Sequence, residues 1–307
     1  MLQQAQIEQF QRDGFLVVEN VMGPEQLTAL RHQLENWVDE SRTYTDAYGD
    51  TIDGRARFDI DPSDHNADHP ALRRVSSPTE ISKAYFDTAL KSEMAYMAGQ
   101  LIGGSGTRFH HSKVNAKLPH TATTVKWHQD FPFTPHTHDD MITALLMVGE
   151  VTAENGPLQV IPGSHKGELF NHWQDGRFSG KVEDWVEAQQ CQNYVSCTGA
   201  AGSVCFMHTR LLHASGANHT QLPRYLFISV YTAEDAVALS DNPLPSIHQG
   251  QLVYGRESGQ VRMTANQLKM PQRPVSVPDF HVFGGINGLC HIVFGQSDGF
   301  FQRMSLR

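Results

Sequence analysis

The hydrophobic positions of the first hundred residues recur mainly at helical spacing. After Gly23-Pro24 the apolar residues lie three or four positions apart, a stripe that predicts a helix packed against a core. These positions are Leu27, Leu30, Leu34, Trp37 and Val38. Similar patterns predict helices over 3–12 and 78–101, and the apolar run at 14–18 predicts a strand. We therefore expect a mainly helical N-terminal flank, over about residues 1–105.

The pattern changes to short apolar runs separated by turn residues between Thr107 and Tyr231. Many short strands at this spacing are typical of a sandwich or a jelly roll, because a doubly wound sheet would need helices between the strands. Within this region, a helix is predicted only over 181–190. The predicted strands are 107–115, 123–130, 142–150, 157–161, 193–196, 203–207, 211–214 and 224–232. We expect one mainly β (α+β) domain, with a core at about 106–232 and a C-terminal extension at 233–307.

A polar, acidic stretch at 42–72 interrupts the N-terminal pattern. Its aspartates are Asp46, Asp50, Asp53, Asp59, Asp61, Asp64 and Asp68. We interpret the stretch as a long connection, and such connections are often substrate loops or lids, although some are merely mobile. Both interpretations stay open.

Composition and charge exclude several classes of function. The chain has 307 residues, a net charge of −9 and a pI near 6.0, which argues against binding to nucleic acid or to an anionic membrane surface. Its apolar runs are too short to span a bilayer, and the first residues do not resemble a signal peptide. The four cysteines form no CxxC pair, which disfavours a thiolate zinc site and predicts a cytoplasmic protein. They are Cys191, Cys197, Cys205 and Cys290.

The candidate chemistry begins at the end of the predicted strand 123–130. Because strand side chains alternate, His128 and Asp130 should project to one face, and Trp127 and Gln129 to the other. A histidine and an aspartate could provide two ligands of the facial triad that binds iron(II) in non-haem oxygenases. The chain contains a second such triplet, at 138–140, but it lies in a polar run without strand alternation.

A third ligand and an anchor for a carboxylate are available later in the chain. His213 lies on a later predicted strand, and Arg224 begins the next one. In a jelly roll these strands can be neighbours, which would place a guanidinium near the metal, where it could bind a carboxylate through two parallel hydrogen bonds. Taken singly, His213 could equally be a core histidine and Arg224 could form a surface salt bridge.

Four separate motifs then resemble the phytanoyl-CoA dioxygenase family, a branch of the iron(II)- and 2-oxoglutarate-dependent oxygenases. The similarity covers roughly residues 5–235, and the motifs occur in the family's order. They are Phe10-Gln-Arg-Asp-Gly14-Phe15-Leu-Val-Val, Trp127-His-Gln-Asp130, Glu154-Asn-Gly-Pro157 through Pro162-Gly-Ser-His165, and His213 with Arg224. The resemblance implies a double-stranded β-helix (jelly-roll, cupin-like) core. We interpret 157–165 structurally, with a turn at Pro162-Gly163 and with Ser164 as a cap.

The resemblance also implies a ligand set and a reaction. Iron(II) would be bound by His128, Asp130 and His213, and the distal carboxylate of 2-oxoglutarate by Arg224, assisted by Ser215. The reaction implied is hydroxylation or a related oxidation of a C–H bond with dioxygen, coupled to conversion of 2-oxoglutarate to succinate and CO2. Halogenation is not expected, because a carboxylate fills the position that is small in halogenating relatives.

A further run is similar to ectoine-hydroxylase-like members of the family. It is His111-Ser-Lys-Val-Asn115-Ala-Lys117. The resemblance implies that Asn115 contacts the co-substrate and that Lys117 is a weaker candidate.

The substrate is predicted only as a small molecule. No basic cluster suited to the phosphates of an acyl-CoA is evident, and the acidic residues of 42–72 and 136–140 would suit a polar, zwitterionic or cationic compound. Two other classes of function stay open: a catalytically silent jelly-roll protein that only binds a ligand or metal, and a zinc hydrolase with an open fourth position. The sequence predicts no oligomeric state.

Overall fold

The computed structural model describes residues 1–119 and 124–264. The predictions for Thr123, for Cys290 and for the extension beyond 264 lie outside these residues. The helices are α1 Gln4–Asp13, α2 Pro24–Ser41, α3 Lys83–Lys91, α4 Glu93–Ile102 and α5 Asp184–Gln190, with 3-10 turns at Pro78–Glu80, Phe131–Phe133 and Ser164–Lys166. No helix of this part of the chain is long and apolar enough to cross a membrane.

The strands form antiparallel sheets. They are β1 Phe15–Val18, β2 Tyr48–Asp50, β3 Ala56–Ile60, β4 Leu72–Ser76, β5 Gly106–Lys117, β6 Val125–His128, β7 Met141–Met147, β8 Leu158–Val160, β9 Trp173–Gln174, β10 Arg177–Phe178, β11 Val195–Cys197, β12 Val204–His208, β13 His213–Ser215, β14 Arg224–Ala233 and β15 Leu252–Gly255. Among the described residues, a large sheet has the order β1-β12-β7-β14-β5-β4-β3-β2, with β15 also on β5, and a smaller sheet has the order β11-β8-β13-β6.

The two faces of the large sheet bury different cores. On its outer face, Leu146 and Phe227 join helix residues such as Leu30 in one apolar cluster. On its inner face, Leu145 and Leu226 belong to a second cluster that includes residues of the smaller sheet. Burial on both faces explains why β7 reads as an uninterrupted apolar run rather than as an alternating one. A cavity lined by residues of both sheets holds the candidate site.

The N-terminal third departs most from the sequence prediction. The stretch 42–72 is not simply a connection, because β2 and β3 lie within it and β4 begins at Leu72. These strands extend the large sheet beyond β5. The predicted helix over 78–101 is interrupted at Ser92, whose hydroxyl accepts a hydrogen bond from Met94 N and so begins α4. The expected helical flank therefore also contributes strands β1 to β4.

Candidate metal and co-substrate site

A His-Asp-His cluster forms where the smaller sheet meets the cavity. His128 ends β6 and pairs in register with His213, the first residue of β13. The Nε2 atoms of both histidines lie 3.5 Å from Asp130 Oδ1. The three side chains form the group in the described residues whose ligand atoms are arranged to hold a metal ion. The predicted ligand set is thus brought together in space.

Both imidazoles are oriented by hydrogen bonds to the backbone. His128 Nδ1 donates to Lys126 O and His213 Nδ1 donates to Leu211 O, each at 2.8 Å. These bonds place a proton on each Nδ1 and leave each Nε2 available as a metal ligand. Burial, followed by the charge on His213, lowers the pKa of His128, which favours the neutral form that binds metal. Two imidazole nitrogens and one carboxylate are the donors of a non-haem iron(II) site, so these residues fit that ion.

Asp130 reaches this cluster in a different way from the one predicted. The strand ends at His128, and Asp130 has helical backbone angles (φ −72°, ψ −33°) at the start of the Phe131–Phe133 turn. Its carboxylate therefore approaches the histidines because the chain turns, and not because a strand alternates. Thr143 Oγ1 donates a hydrogen bond to Asp130 Oδ2 at 2.7 Å. Burial opposes ionisation of Asp130, but His213 and His128 outweigh it, and the pKa of Asp130 lies well below its ordinary value.

Gln129, between the two ligands, anchors the turn from the protein interior. The residue is fully buried, and its Nε2 donates to Glu168 O at 3.0 Å and to Arg210 O at 2.8 Å. Its Oε1 accepts from Phe170 N at 2.9 Å. The prediction that Gln129 points away from the metal is confirmed, and its amide joins three chain segments behind the site.

Ser164 was predicted to cap the turn after Pro162-Gly163, and this prediction is wrong. Gly163, at φ +79°, occupies the cap position, and Ser164 Oγ accepts a hydrogen bond from Leu212 N at 2.9 Å. Ser164 thereby fixes the residue before His213. The motif that contains Ser164 thus supports the metal site by a hydrogen bond to the backbone just before His213.

The second H-x-D triplet holds loops together. His138 Nε2 lies 3.0 Å from Asp235 Oδ1. Asp139 pairs with Arg210 at 2.7 Å, and Asp140 pairs with Arg262. With their charges directed to these partners, the side chains of 138–140 have a structural role, as their sequence context predicted.

Arg224 lies in the same cavity, at the start of β14. It is only 3% exposed, and no acidic group of the described residues pairs with it. Burial lowers the pKa of Arg224 to about 10, so the guanidinium stays charged at neutral pH. A buried guanidinium without a carboxylate partner fits the distal carboxylate of a dicarboxylic acid.

The other predicted co-substrate residues surround Arg224. Lys117 pairs with it in register on β5, and Asn115 and Ser215 also line the cavity. Lys117 Nζ donates to Gly216 O, and burial, followed by the charge of Arg224, lowers its pKa to about 6. Lys117 is therefore mainly neutral at pH 7, which makes it a hydrogen-bonding group more than a charge.

The charged residues that line the cavity are mostly not those on which the substrate prediction rested. Five basic side chains and two carboxylates line it, namely Arg73, Arg74, Lys113, Lys117 and Arg224 against Asp59 and Asp130. Most of the acidic residues in 42–72 do not line the cavity, and Asp59 pairs with Arg73 and Arg74. Counting charges along the sequence favoured a polar, zwitterionic or cationic compound, whereas basic residues outnumber the carboxylates that line the cavity.

The match to a family model decides the classification. The model for the phytanoyl-CoA dioxygenase family matches residues 10–225, more than two thirds of the chain. The chain belongs to the phytanoyl-CoA dioxygenase family. That segment contains His128, Asp130, His213 and Arg224.

Named relatives lie within the ketoglutarate-dependent oxygenases. The chain is 33% identical over 216 residues to a probable alpha-ketoglutarate-dependent hypophosphite dioxygenase of Stutzerimonas stutzeri, covering 69% of this chain and 74% of the relative. It is 25% identical to an ectoine dioxygenase of the same species, covering 78% and 81%. In structure it resembles iron-bound EctD from S. alaskensis, with a TM-score of 0.62, 21% identity and coverage of 89% and 88%. The predictions of family, jelly-roll fold and an iron(II)- and 2-oxoglutarate-dependent oxidoreductase are confirmed.

Proposed function

We propose that His128, Asp130 and His213 bind iron(II) and that Arg224 binds the distal carboxylate of 2-oxoglutarate, for the oxidation of a small molecule. The observation that carries the proposal is the presence, in one cavity, of a His-Asp-His cluster and a buried arginine that has no acidic partner within residues 1–119 and 124–264. A zinc hydrolase needs the first feature but has no use for the second.

The chemistry that bound iron(II) supplies is activation of dioxygen, coupled to decarboxylation of 2-oxoglutarate to succinate and CO2. The protein positions the metal ligands and the co-substrate, and it excludes water from the cavity. The hydrogen bonds from each Nδ1 to the backbone fix the orientation of His128 and His213 and leave each Nε2 facing the metal position. Arg224 fixes one end of the co-substrate, and apolar residues such as Leu226 and Ile228 shield the cavity from solvent.

Three further residues are assigned to the co-substrate. Asn115 and Ser215 line the cavity with polar side chains that make no hydrogen bond to the described residues, so each can bond to a carboxylate oxygen. Lys117, which is bound to Gly216 O, holds the β13 end of the cavity in place and assists more weakly. Hydroxylation or a related oxidation, and not halogenation, stays our prediction, because the carboxylate of Asp130 fills the position that is small in halogenating relatives.

A cytoplasmic location also stays a prediction. The cysteines of the described residues, Cys191, Cys197 and Cys205, are free and buried, which suits a reducing compartment. Cell fractionation with an antibody to the chain would test it.

Oxygen uptake and succinate formation, measured with iron(II) and 2-oxoglutarate, test the function. His128→Ala and Asp130→Ala should abolish both. Arg224→Ala should weaken 2-oxoglutarate binding about 30-fold or more, because it removes one member of a buried charged pair. Arg177→Ala, which removes an exposed arginine outside the cavity, is the matched control and should change neither.

The outcomes separate the competing functions. Binding of 2-oxoglutarate without oxygen uptake or succinate, across a substrate panel, would indicate a silent binding protein. Activity that persists without oxygen and is unaffected by Arg224→Ala would indicate a hydrolase. Unchanged affinity for 2-oxoglutarate in Arg224→Ala would contradict the co-substrate assignment.

A further inference from the structure

A strap of the chain, residues 242–247, closes one side of the cavity that holds the metal site. Its Pro243 and Leu244 line the cavity, and both are buried. The strap lies between β14 and β15, beyond residues 10–225, which are the part of the chain that the family model matches. The shared pattern of the family therefore does not specify this wall.

The sequence of the strap restricts its own backbone. It begins Asn242-Pro-Leu-Pro245, so Leu244 lies between two prolines, and each residue before a proline is held to extended conformations. The side chain of Asn242 adds a local turn, because its Oδ1 accepts a hydrogen bond from Leu244 N at 2.9 Å. The local sequence thus favours one position of Leu244 relative to Asn242.

Hydrogen bonds to other parts of the fold hold the strap on both sides of Leu244. They are Asn242 Nδ2 to His110 O at 3.2 Å, Arg55 Nη2 to Pro243 O at 2.6 Å, Ser77 Oγ to Pro245 O at 3.0 Å and Ile247 N to Glu80 Oε1 at 3.0 Å. Glu80 is itself fixed, because it pairs with Arg57 at 2.6 Å and both side chains are buried. The strap is therefore a fixed wall of the cavity.

The strap lies at the end of the cavity away from Arg224. Arg224, which is assigned to 2-oxoglutarate, pairs in register with Lys117 at the last position of β5. The strap is bonded to β5 at His110, roughly 20 Å from Lys117 along an extended strand. The distal carboxylate of the co-substrate and the strap therefore belong to opposite ends of the cavity.

The strap is near the metal ligands. His111, next to the residue that bonds the strap, lines the cavity and pairs in register with Val230. Val230 pairs in turn with Thr143, whose hydroxyl donates a hydrogen bond to Asp130. A co-substrate that extends from the metal towards Arg224 leaves the space between the metal and the strap for the substrate.

Leu244 separates this cavity from a smaller one behind the strap. The main cavity has a volume of about 140 Å³, room for roughly ten water molecules, and the co-substrate would take much of it. The smaller one has a volume of about 10 Å³, room for about one water, and is also lined by Thr51, Ala56 and Ser76. Leu244 lines both, so its side chain forms the wall between them.

We propose that Leu244 determines the greatest length of substrate that the cavity accepts, by closing it on the side away from Arg224. This inference rests on the proposed function and specifies the size of its substrate. A compact molecule fits between the metal and the strap. An extended chain directed at the strap would have to displace a leucine that two prolines and four hydrogen bonds hold in place, and close-packed side chains resist such displacement.

The first experiment measures the length limit with straight-chain alcohols, from ethanol to octanol, by NMR titration of the metal-free protein. Each further buried methylene should raise the affinity about fourfold until the chain meets Leu244. In Leu244→Ala the affinity should go on rising beyond the wild-type limit, so that the next alcohol binds about fourfold more tightly than it binds to the wild type. Leu244→Phe should move the limit to a shorter alcohol.

The matched control is Leu239→Ala, the same substitution at a leucine that is 52% exposed and precedes the strap. It should keep the wild-type limit. Leu244→Val removes less of the side chain than the alanine variant does and should move the limit in the same direction, so the result does not depend on the folding of one variant. Equal limits in all the Leu244 variants and the wild type, or no alcohol binding to the wild type, would overturn the proposal.

The second experiment repeats the titrations in the 2-oxoglutarate complex, with zinc(II) as a redox-inert substitute for iron(II). The alcohols should still bind, and Leu244→Ala should still extend the limit. The affinity of the Leu244 variants for 2-oxoglutarate should stay within about threefold of wild type, because the strap lies far from Arg224. Displacement of the alcohols by 2-oxoglutarate would overturn the proposal, since Leu244 would then face the co-substrate. Failure of the wild type to bind 2-oxoglutarate would instead reject the proposed function, and the limits in the metal-free protein would still test the wall.

Discussion

Thr143 Oγ1 donates a 2.7 Å hydrogen bond to the Oδ2 atom of Asp130, whose Oδ1 faces both histidines. The bond holds Oδ2 against Thr143 and leaves Oδ1 directed towards the two histidines, where it could bind the metal. Thr143 lies on β7 of the large sheet, where it pairs in register with Val230 of β14. A strand of one sheet thus orients a ligand that follows a strand of the other.

Replacing Thr143 with valine should weaken iron(II) binding about 10- to 100-fold, since the shape is kept and the hydrogen bond to the ligand is lost. Iron(II) titration under anaerobic conditions measures the effect. Thr143→Ser keeps the hydroxyl and should retain most of the affinity. If the valine and serine variants bound iron equally, the hydrogen bond would have no part in orienting Asp130.

Replacing Gln129 with leucine should lower the free energy of unfolding by about 2–4 kcal/mol, because buried backbone groups at Glu168, Arg210 and Phe170 lose their partner. Denaturant unfolding of the metal-free protein gives the value. Gln190→Leu, on the exposed side of α5, is the control and should change stability by less than about 0.5 kcal/mol. Similar values for the two variants would show that the buried amide is not important for stability.

Gly156 allows its chain segment to pack closely against Gly216 and Lys117, near the residues assigned to the co-substrate. Its φ is +80°, and an added Cβ would lie 2.7 Å from Gly216 O and 2.8 Å from Lys117 Cδ. Gly156→Ala should therefore destabilise the fold by about 1–3 kcal/mol and weaken 2-oxoglutarate binding. Gly149→Ala, where an added Cβ meets nothing within 4 Å, is the control in thermal unfolding. A Gly156→Ala protein as stable as the control would refute the need for glycine.

Stability should fall as the pH is lowered from about 6.5 to 4, in part because of His172. This side chain is 1% exposed, and burial lowers its pKa to about 4. In the fold its Nε2 accepts a hydrogen bond from Gln129 N at 3.0 Å, which requires the neutral form. In the unfolded chain, His172 binds a proton near pH 6.5. The stabilising effect of the neutral, hydrogen-bonded His172 is therefore complete above that pH and is lost as the pH falls towards 4.

The measurement is the free energy of unfolding of the metal-free protein at several pH values. One such group contributes a slope of up to about 1.4 kcal/mol per pH unit. His172→Gln should reduce the slope between pH 6.5 and 4, whereas His32→Gln, on the polar face of α2, should leave it unchanged. An unchanged slope in His172→Gln would assign the acid sensitivity to other buried groups.

The sequence was sufficient to predict the kind of chemistry. His128, Asp130, His213 and Arg224 are recognised by residue type, by order and by the motifs around them, and the structure brings all four to one cavity. The jelly-roll prediction likewise depended on local signals, namely short apolar runs between turn residues. Local signals are sufficient here because each motif has to carry its own turn and ligand geometry.

Tertiary structure decided the charge of the cavity and the way in which the ligands are supported. The acidic stretch 42–72 was read as a connection, yet it pairs as β2 and β3 and, with β4, places Asp59 and Arg74 opposite Asn115. Thr143 and Ser164 contact the ligand segments from positions distant in sequence. The register between strands that are distant in sequence determines which charged side chains face each other. That register cannot be read from the number of charged residues in a stretch of sequence. The sequence therefore predicted the residues of a metal and co-substrate site, and only the fold decided which charged residues from distant strands line the cavity beside it.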